Sequence, residues 1–381
     1  MKYFFDILVF TISGIILLTH IVLSIGIFRI RITEKKQKKR YRKVTNTISV
    51  IVPAKDEEQT LPLCLQSLDR QSIKNFELIL VNDRSTDNTL KIMSDYRRLH
   101  PGSIKVINLT ENQDKINPKQ YALTKGIEVS TGAVLLFTDS DCIVPASWVE
   151  EMALHFEDPA IGIVTGTIHT IPGTTFLSKY QAFDHVFRYF YTAATAGLSS
   201  ASGGFGNNLA IRRKALSAIG GYESIKPSVT EDATLIAAVR NHSKYKIQAL
   251  TSVQIKVLTS PLNDWKALRS QELRWSTGAI FAPDSLTRWG YRIIMLYLAL
   301  GVLPVPFIFL WPVLAVLTTS SFSSMLLIAV LAGLFSRMEL FGYWVLLLPH
   351  ICFSMVYYLY ITLLTFLHVP LEWKGNKLIK I

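Results

Sequence analysis

Val134-Leu135-Leu136-Phe137-Thr138-Asp139-Ser140-Asp141 is the stretch from which the fold can be read. Four apolar residues in a row predict a buried strand, and the run stops at two carboxylates one residue apart. A strand end lies at the mouth of an α/β crevice, where ligands of open parallel sheets bind. Asp139 and Asp141 point the same way while the chain stays extended. Two hard oxygen donors aimed at one spot suit Mg²⁺ or Mn²⁺ shared with substrate phosphates. Two chance acids in a solvated loop would look the same, so the flanking sequence decides.

Upstream, Thr47-Ile48-Ser49-Val50-Ile51-Val52-Pro53 is β-branched and ends at proline, which predicts a strand. Ala54-Lys55-Asp56-Glu57-Glu58 follows, then a helical pattern through Leu61, Leu65 and Leu68. Strand, polar loop and helix form the opening unit of a nucleotide-binding α/β domain. A second strand over 77–81 runs into Asn82-Asp83-Arg84-Ser85-Thr86-Asp87-Asn88-Thr89. Asp83 at its tip is placed to accept from a ribose or base, whereas Asp87 reads as a capping turn. A third strand over 104–109 leads to a helix opening at Pro118. Lys119 sits at that helix start, where the dipole disfavours a cation unless an anion such as a diphosphate offsets it. No G-x-G-x-x-G or Walker A pattern is present, so any phosphates are not cradled by those loops.

The ends of the chain differ from its middle. Of 381 residues half are apolar, and the mean hydropathy is +0.30. The apolar excess lies in residues 5–28 and from about 293 to 370, and one bilayer crossing needs roughly 20 helical residues. Residues 29–43 hold nine Lys or Arg against Glu34 alone, within a net charge of +12. Directly after an apolar helix, such a block predicts a juxtamembrane anchor, with the N-terminus outside and the next domain cytoplasmic. A nucleic-acid arm would need interleaved aromatic residues, so no nucleic-acid partner is expected. A cleaved signal peptide fits poorly, because the apolar run is too long and its positive charge lies on the wrong side. Cys64, Cys142 and Cys352 have neither metal-ligand spacing nor a disulfide framework.

Beyond residue 290 the pattern predicts a span over 293–317 interrupted by Pro304, Pro306 and Pro312, and a short segment over 322–336. Arg337 and Glu339 read as a loop, followed by a long span over 340–369 in which His350 packs inside the bundle. Three C-terminal segments are expected. The basic tail would prefer the cytoplasm, which three full crossings would deny it.

Three more features lie between these ends. Gly203-Gly204-Phe205-Gly206 precedes an apolar strand and the pair Arg212-Arg213. The glycines permit either a tight turn or close approach of a second substrate. Glu231-Asp232 opens a helix, where acids are often merely stabilising. Gln271, Arg274 and Trp275 share one helical face at i, i+3 and i+4. Trp can stack a sugar, Arg can pair with a diphosphate, and an interfacial helix would also place Trp there.

Taken in order, Ile51-Val52-Pro53-Ala54-Lys55-Asp56-Glu57-Glu58, Val81-Asn82-Asp83-Arg84-Ser85-Thr86-Asp87, Asp139-Ser140-Asp141, Thr230-Glu231-Asp232 and Gln271-Glu272-Leu273-Arg274-Trp275 resemble the family-2 inverting glycosyltransferases. The likeness is to the membrane-embedded branch, with cellulose, hyaluronan and poly-N-acetylglucosamine synthases and ceramide glucosyltransferase-like enzymes. It covers roughly residues 47–280. It implies a GT-A fold, a mixed α/β sheet with helices on both faces, flanked here by N- and C-terminal transmembrane helices. The expected plan is an anchor over 1–30, a basic linker over 31–44, a cytoplasmic catalytic domain over 45–285 and C-terminal membrane helices over 286–381.

The resemblance implies a UDP-sugar donor and a lipid, lipid-linked or growing glycan acceptor. It implies donor-site roles for Pro53, Ala54, Asp56, Glu57, Asp83, Lys119, Asp139, Gln271, Arg274 and Trp275. Asp141 would hold Mg²⁺ or Mn²⁺ with help from Asp139, and Asp83 would meet the uridine. Asp232 would be general base, with Glu231 beside it at the acceptor. Asn82 replaces a common Asp, and Lys55-Asp56 replaces the common Arg/Tyr-Asn, which puts the base contact there in doubt. The implied location is a bacterial-type inner membrane. A processive polysaccharide synthase is the main alternative. An inactive nucleotide-binding scaffold is disfavoured because every expected acid is present.

Overall fold

The computed structural model describes residues 2–100, 102–111, 117–171, 173–335, 345–373 and 376–377. The chain begins with a 39-residue helix, α1 (Lys2–Arg40). Strands β1 (Ile48–Ala54), β2 (Glu77–Asp83), β3 (Ile104–Leu109) and β4 (Val134–Phe137) follow, separated by α2 (Leu61–Asp69), α3 (Thr89–Leu99) and α4 (Pro118–Val129). Next come β5 (Cys142–Ile143), α5 (Trp148–Leu154), β6 (Ile161–Thr165), β7 (Ile168–Thr170) and α6 (Phe176–Gly197). β8 (Leu209–Arg212), α7 (Arg213–Ala218), α8 (Glu231–His242), β9 (Lys246–Ala249), β10 (Val257–Thr259) and α9 (Trp265–Ile280) complete the central domain. Among the described residues three apolar helices follow, α10 (Ser285–Val302), α11 (Leu314–Phe335) and α12 (Leu347–Phe366).

Seven strands make one mixed sheet in the order β3-β2-β1-β4-β8-β6-β9. β1 pairs in parallel with β2 and β4, while β8 runs antiparallel to β4 and β6. Period-2 alternation divides the strand residues between two layers. Val50, Val52, Leu78, Leu80 and Leu136 pack with α2 and α5 on one face. Ile51, Ile79, Val81, Leu135 and Phe137 pack with α4 and α8 on the other. Helices on both faces are what the sequence implies. Ile51 pairs with Phe137 and Ala54 with Asn82, so Pro53-Ala54, Asp83 and Asp139 end on one carboxyl edge.

Two expectations about the ends need correction. The basic segment expected as a linker over 31–44 continues α1 as far as Arg40. Its polar side chains dock on the domain. Buried Glu34 accepts from the Thr251 N–H and hydroxyl at 3.1 Å each, Lys38 pairs with Glu151 at 2.7 Å, and Gln37 Oε1 faces His155 Nδ1 at 2.6 Å. The span expected over 293–317 is two elements. α10 stops at Val302 because Pro304 and Pro306 lack the N–H that would continue it. The segment that looked short becomes part of the 22-residue α11. Arg337 and Glu339 lie outside the described residues.

Among the described residues four helices are long and apolar enough to cross a membrane, namely α1, α10 with the turn to Phe307, α11 and α12. Their outward faces are apolar: Leu18, Leu296 and Leu363 are each more than half exposed. That is the reverse of a water-facing surface. Their inward faces form a core with α6, in which His350 is buried. α1 and α6 touch at two glycines, Gly26 and Gly197.

Candidate active site

Glu57, at the end of the β1 loop, is held by Thr60 Oγ1, and its N–H donates to Thr89 Oγ1 at 2.8 Å. Asp87 is more than the cap expected of it. It accepts from Thr89 N–H at 2.9 Å and also from Glu58 N–H at 2.9 Å, tying the β1 and β2 loops together. Asp56 has φ 52°, and its Oδ1 accepts from the Thr86 N–H and hydroxyl at 2.7 and 3.1 Å. Its carboxylate therefore braces the neighbouring loop. It does not line the cavity described below, unlike the other expected donor-site residues.

Asp139 and Asp141 follow β4 as its register requires. Burial, then the charges of Asp139 and Glu57, push the Asp141 carboxyl up to about 6. Among the described residues no three His, Cys, Asp or Glu side chains gather to hold a metal unaided. Two neighbouring carboxylates nevertheless fit a divalent cation whose other ligands are substrate oxygens. Asp83 lines the same cavity, with Oδ1 accepting from Arg84 Nε at 2.7 Å.

Lys119 joins the two halves of the site. Asn117 caps α4 by accepting from the Lys119 N–H at 3.0 Å, which fixes the lysine in the first turn. Its ammonium lies 2.7 Å from Asp139 Oδ1 and 3.8 Å from Glu231 Oε1. Burial alone would lower its pKa, but Asp139 and then Glu231 outweigh burial and hold it above the ordinary lysine value.

Glu231 and Asp232 form the first turn of α8. Asp232 Oδ2 accepts from Gly206 N–H at 2.8 Å and Oδ1 from Ala233 N–H at 2.8 Å. A Cβ on Gly206 would lie 3.3 Å from Asp232 Cβ, so this glycine admits the acid to the backbone. Burial raises both carboxyls above their ordinary range. The Lys119 charge opposes it at Glu231, and the Ala233 N–H followed by Lys119 opposes it at Asp232.

One cavity of about 650 Å³ is lined by Pro53, Ala54, Glu57, Asp83, Lys119, Asp139, Asp141, Glu231, Asp232, Gln271, Arg274 and Trp275. Five separated motifs thus face one space. Residues 49–220 match the family described as Glycosyl transferase family 2.

Over that stretch the chain is similar to family-2 glycosyltransferases.

The probable glycosyltransferase YdaM of Bacillus subtilis is 26% identical over 69% of this chain and 63% of its own length. The poly-β-1,6-N-acetyl-D-glucosamine synthase of Staphylococcus epidermidis is 24% identical over 61% of this chain and 54% of its own. The chain thus spans less than two thirds of these relatives. Among solved structures, the mannosyltransferase PcManGT of Pyrobaculum calidifontis, in complex with GDP-Man and Mn²⁺, superposes with a TM-score of 0.52. That match is 17% identical and covers 92% of this chain and 99% of the other, a likeness of GT-A fold.

Sequence reasoning missed one group beside this site. Arg188 of α6 lines the cavity, donates from Nε to Asp184 at 2.8 Å and pairs with Glu272 of α9. The Tyr358 hydroxyl of α12 donates to the same Asp184. The guanidinium stands over the rings of Tyr358, at 4.5 Å, and Trp275, at 5.6 Å. His185 lies beside Trp275, with Nδ1 2.5 Å from Thr170 Oγ1. Burial holds this imidazole down at about 4, so it is neutral near pH 7. The i, i+4 spacing of Asp184 and Arg188 within an aromatic-rich run was the available signal.

Proposed function

We propose that this protein transfers a sugar, with inversion, from a UDP-sugar to a lipid or lipid-linked acceptor at the cytoplasmic face of a bacterial-type inner membrane. One observation carries the reading. A single cavity holds the Asp139–Asp141 pair, the Glu231–Asp232 pair and the Gln271–Trp275 helix face, then continues between the apolar helices. In this reading α1, α10, α11 and α12 cross the bilayer, and the positive end of α1 faces the cytoplasm.

Asp141, with Asp139, would hold Mg²⁺ or Mn²⁺, which offsets the charge gathering on the leaving diphosphate. Lys119 and Arg274 are the cations placed to meet the same charge. Asp83 faces the uridine. Asp232 takes the proton of the attacking hydroxyl, and burial suits its raised pKa to that task. Glu231 orients Lys119 and the acceptor. Attack from the side opposite the diphosphate inverts the anomeric carbon.

The test is mass analysis of lipid and polysaccharide products from membranes supplied with a panel of UDP-sugars. A glycolipid of one or a few sugars is expected. A processive synthase is the second reading, supported by Gln271, Arg274 and Trp275 on the cavity wall and by the staphylococcal relative. Long polymer in the same assay would select it.

A further inference from the structure

Past Glu231 and Asp232 the cavity changes character. Its wall becomes Leu23 of α1, Ile294 and Leu298 of α10, and Met325 of α11. Thr287 and Leu298 both line it, and eleven residues of α10 span roughly 17 Å. The branch therefore reaches well into a hydrocarbon layer of roughly 30 Å. α1 packs along α6 and α11, and α10 packs along α11 and α12. α1 and α10 both line the branch without packing along each other for any length. A hydrogen bond of 3.3 Å between Thr19 Oγ1 and Tyr297 OH bridges them.

The charges on this side decide what kind of head group fits. Among the described residues the lining cations are Lys55, Lys119, Arg188 and Arg274. Lys119 is engaged by Asp139 and Glu231 at the nucleotide end, and Lys55 belongs to the β1 loop at that end. Arg274 donates from Nη1 to the Val229 carbonyl and is assigned above to the leaving diphosphate. Arg188 faces the apolar branch and is already shared by two carboxylates, Asp184 and Glu272. An anionic head group entering here would meet Glu231 and Asp232, or would have to displace a buried carboxylate from Arg188. Separating such a pair leaves an uncompensated buried charge. A neutral hydroxyl meets neither obstacle.

Building on the lipid-acceptor reading above, we propose that this branch takes the apolar chain of an uncharged lipid alcohol, admitted between α1 and α10, and discriminates against lipid phosphates. The alcohol oxygen forms a bond to the anomeric carbon as the bond from that carbon to the diphosphate oxygen breaks. The hydroxyl proton passes to the Asp232 carboxylate, and the bonding electron pair leaves with the diphosphate.

The test uses the full-length protein in phosphatidylcholine nanodiscs with Mn²⁺ and labelled UDP-sugars. Dioleoylglycerol, a polyprenyl phosphate and a short oligosaccharide are offered separately. The expected result is label in glycosylated dioleoylglycerol, with transfer to polyprenyl phosphate at least tenfold slower. Preferential labelling of the polyprenyl phosphate overturns the neutral-head-group inference and leaves the lipid-acceptor reading standing. Labelling of the oligosaccharide alone overturns both. No product with any acceptor, in protein shown to bind UDP–Mn²⁺, overturns the inference too. Leu298→Trp, or Met325→Phe if the first fails to fold, is expected to raise KM for dioleoylglycerol at least tenfold while raising KM for a short-chain diacylglycerol less than threefold. An equal rise for both chain lengths removes the apolar branch from acceptor binding.

Discussion

The Lys119 ammonium rests 2.7 Å from Asp139 Oδ1, although the two residues belong to different elements, α4 and the loop after β4. Its second neighbour, Glu231, lies across the cleft on α8. A cation so placed links the acid proposed for the metal to the acid proposed for the acceptor side, and would meet a diphosphate between them. A hydrogen bond to a charged group contributes about 1.5–3 kcal/mol. Lys119→Met should therefore lower kcat/KM roughly ten- to hundred-fold. Steady-state kinetics across UDP-sugar concentrations measure this, and near-wild-type kinetics in the variant would remove Lys119 from the donor site.

Asp232 is the acid proposed to receive the acceptor proton, and Gly206 and Ala233 N–H groups fix its carboxylate. Asp232→Asn keeps the shape and removes the basicity. General-base catalysis contributes about 10²–10⁴-fold, so transfer should fall by that factor while UDP–Mn²⁺ still binds. Turnover and calorimetric titration on the same preparation check both halves. Normal turnover would refute the assignment.

The sheet and the acids were legible because both signals are local. A β-branched run ending in Pro53, and an apolar run ending in Asp139, announce strand tips without tertiary information. The link through Lys119 was not legible as a distance, because only the β1–β4 register and the Asn117 cap set it. α6 was missed altogether, since its 22 residues bury most of their circumference. The end of α1 was misjudged for a related reason. Its charges read as a juxtamembrane anchor and linker, yet Glu34, Gln37 and Lys38 find partners more than a hundred residues away. Asp56 shows the opposite limit, since a motif position located it in the correct loop and tertiary hydrogen bonds turned its carboxylate elsewhere.

Glu77 at the start of β2 gives a pH signature away from the site. Burial alone would raise its carboxyl, but bonds from the Ser49 hydroxyl, Lys105 and Thr131 outweigh burial and lower it to about 2. A depressed folded-state pKa contributes stability above the unfolded value near 4.3, and that contribution fades as pH falls toward 2. Wild type should therefore exceed Glu77→Gln in Tm above pH 5, and the gap should narrow steadily between pH 4.5 and 2. A pH-independent gap would show that the Glu77 charge contributes nothing.

Gly26 and Gly197 permit the α1–α6 crossing. A Cβ on Gly26 would stand 2.2 Å from the Ala194 carbonyl oxygen, and one on Gly197 would stand 2.0 Å from the Gly26 carbonyl oxygen. Both obstacles are backbone, so no rotamer change relieves them. Small residues at such crossings let helices approach closely in an apolar setting. Gly26→Val and Gly197→Val should each lower the yield and Tm of detergent-extracted protein sharply. Gly14→Val on the same helix, with open space around it, is the control and should differ little.

Arg188 is the buried charge on which three helices converge. Asp184 and Glu272 are almost wholly buried, and both depend on this one guanidinium. Removing one partner of such a group typically costs about 3–5 kcal/mol, because the remaining charges stay buried without compensation. Arg188→Met should therefore lower Tm by about 10 °C. The triple variant Arg188→Met/Asp184→Asn/Glu272→Gln removes all three charges together and should recover part of that loss, since replacing a whole buried ionic cluster is often near neutral. Differential scanning fluorimetry of the three proteins in one detergent decides it. A triple variant less stable than Arg188→Met would mean that the carboxyls stabilise α6 and α9 by contacts independent of the arginine.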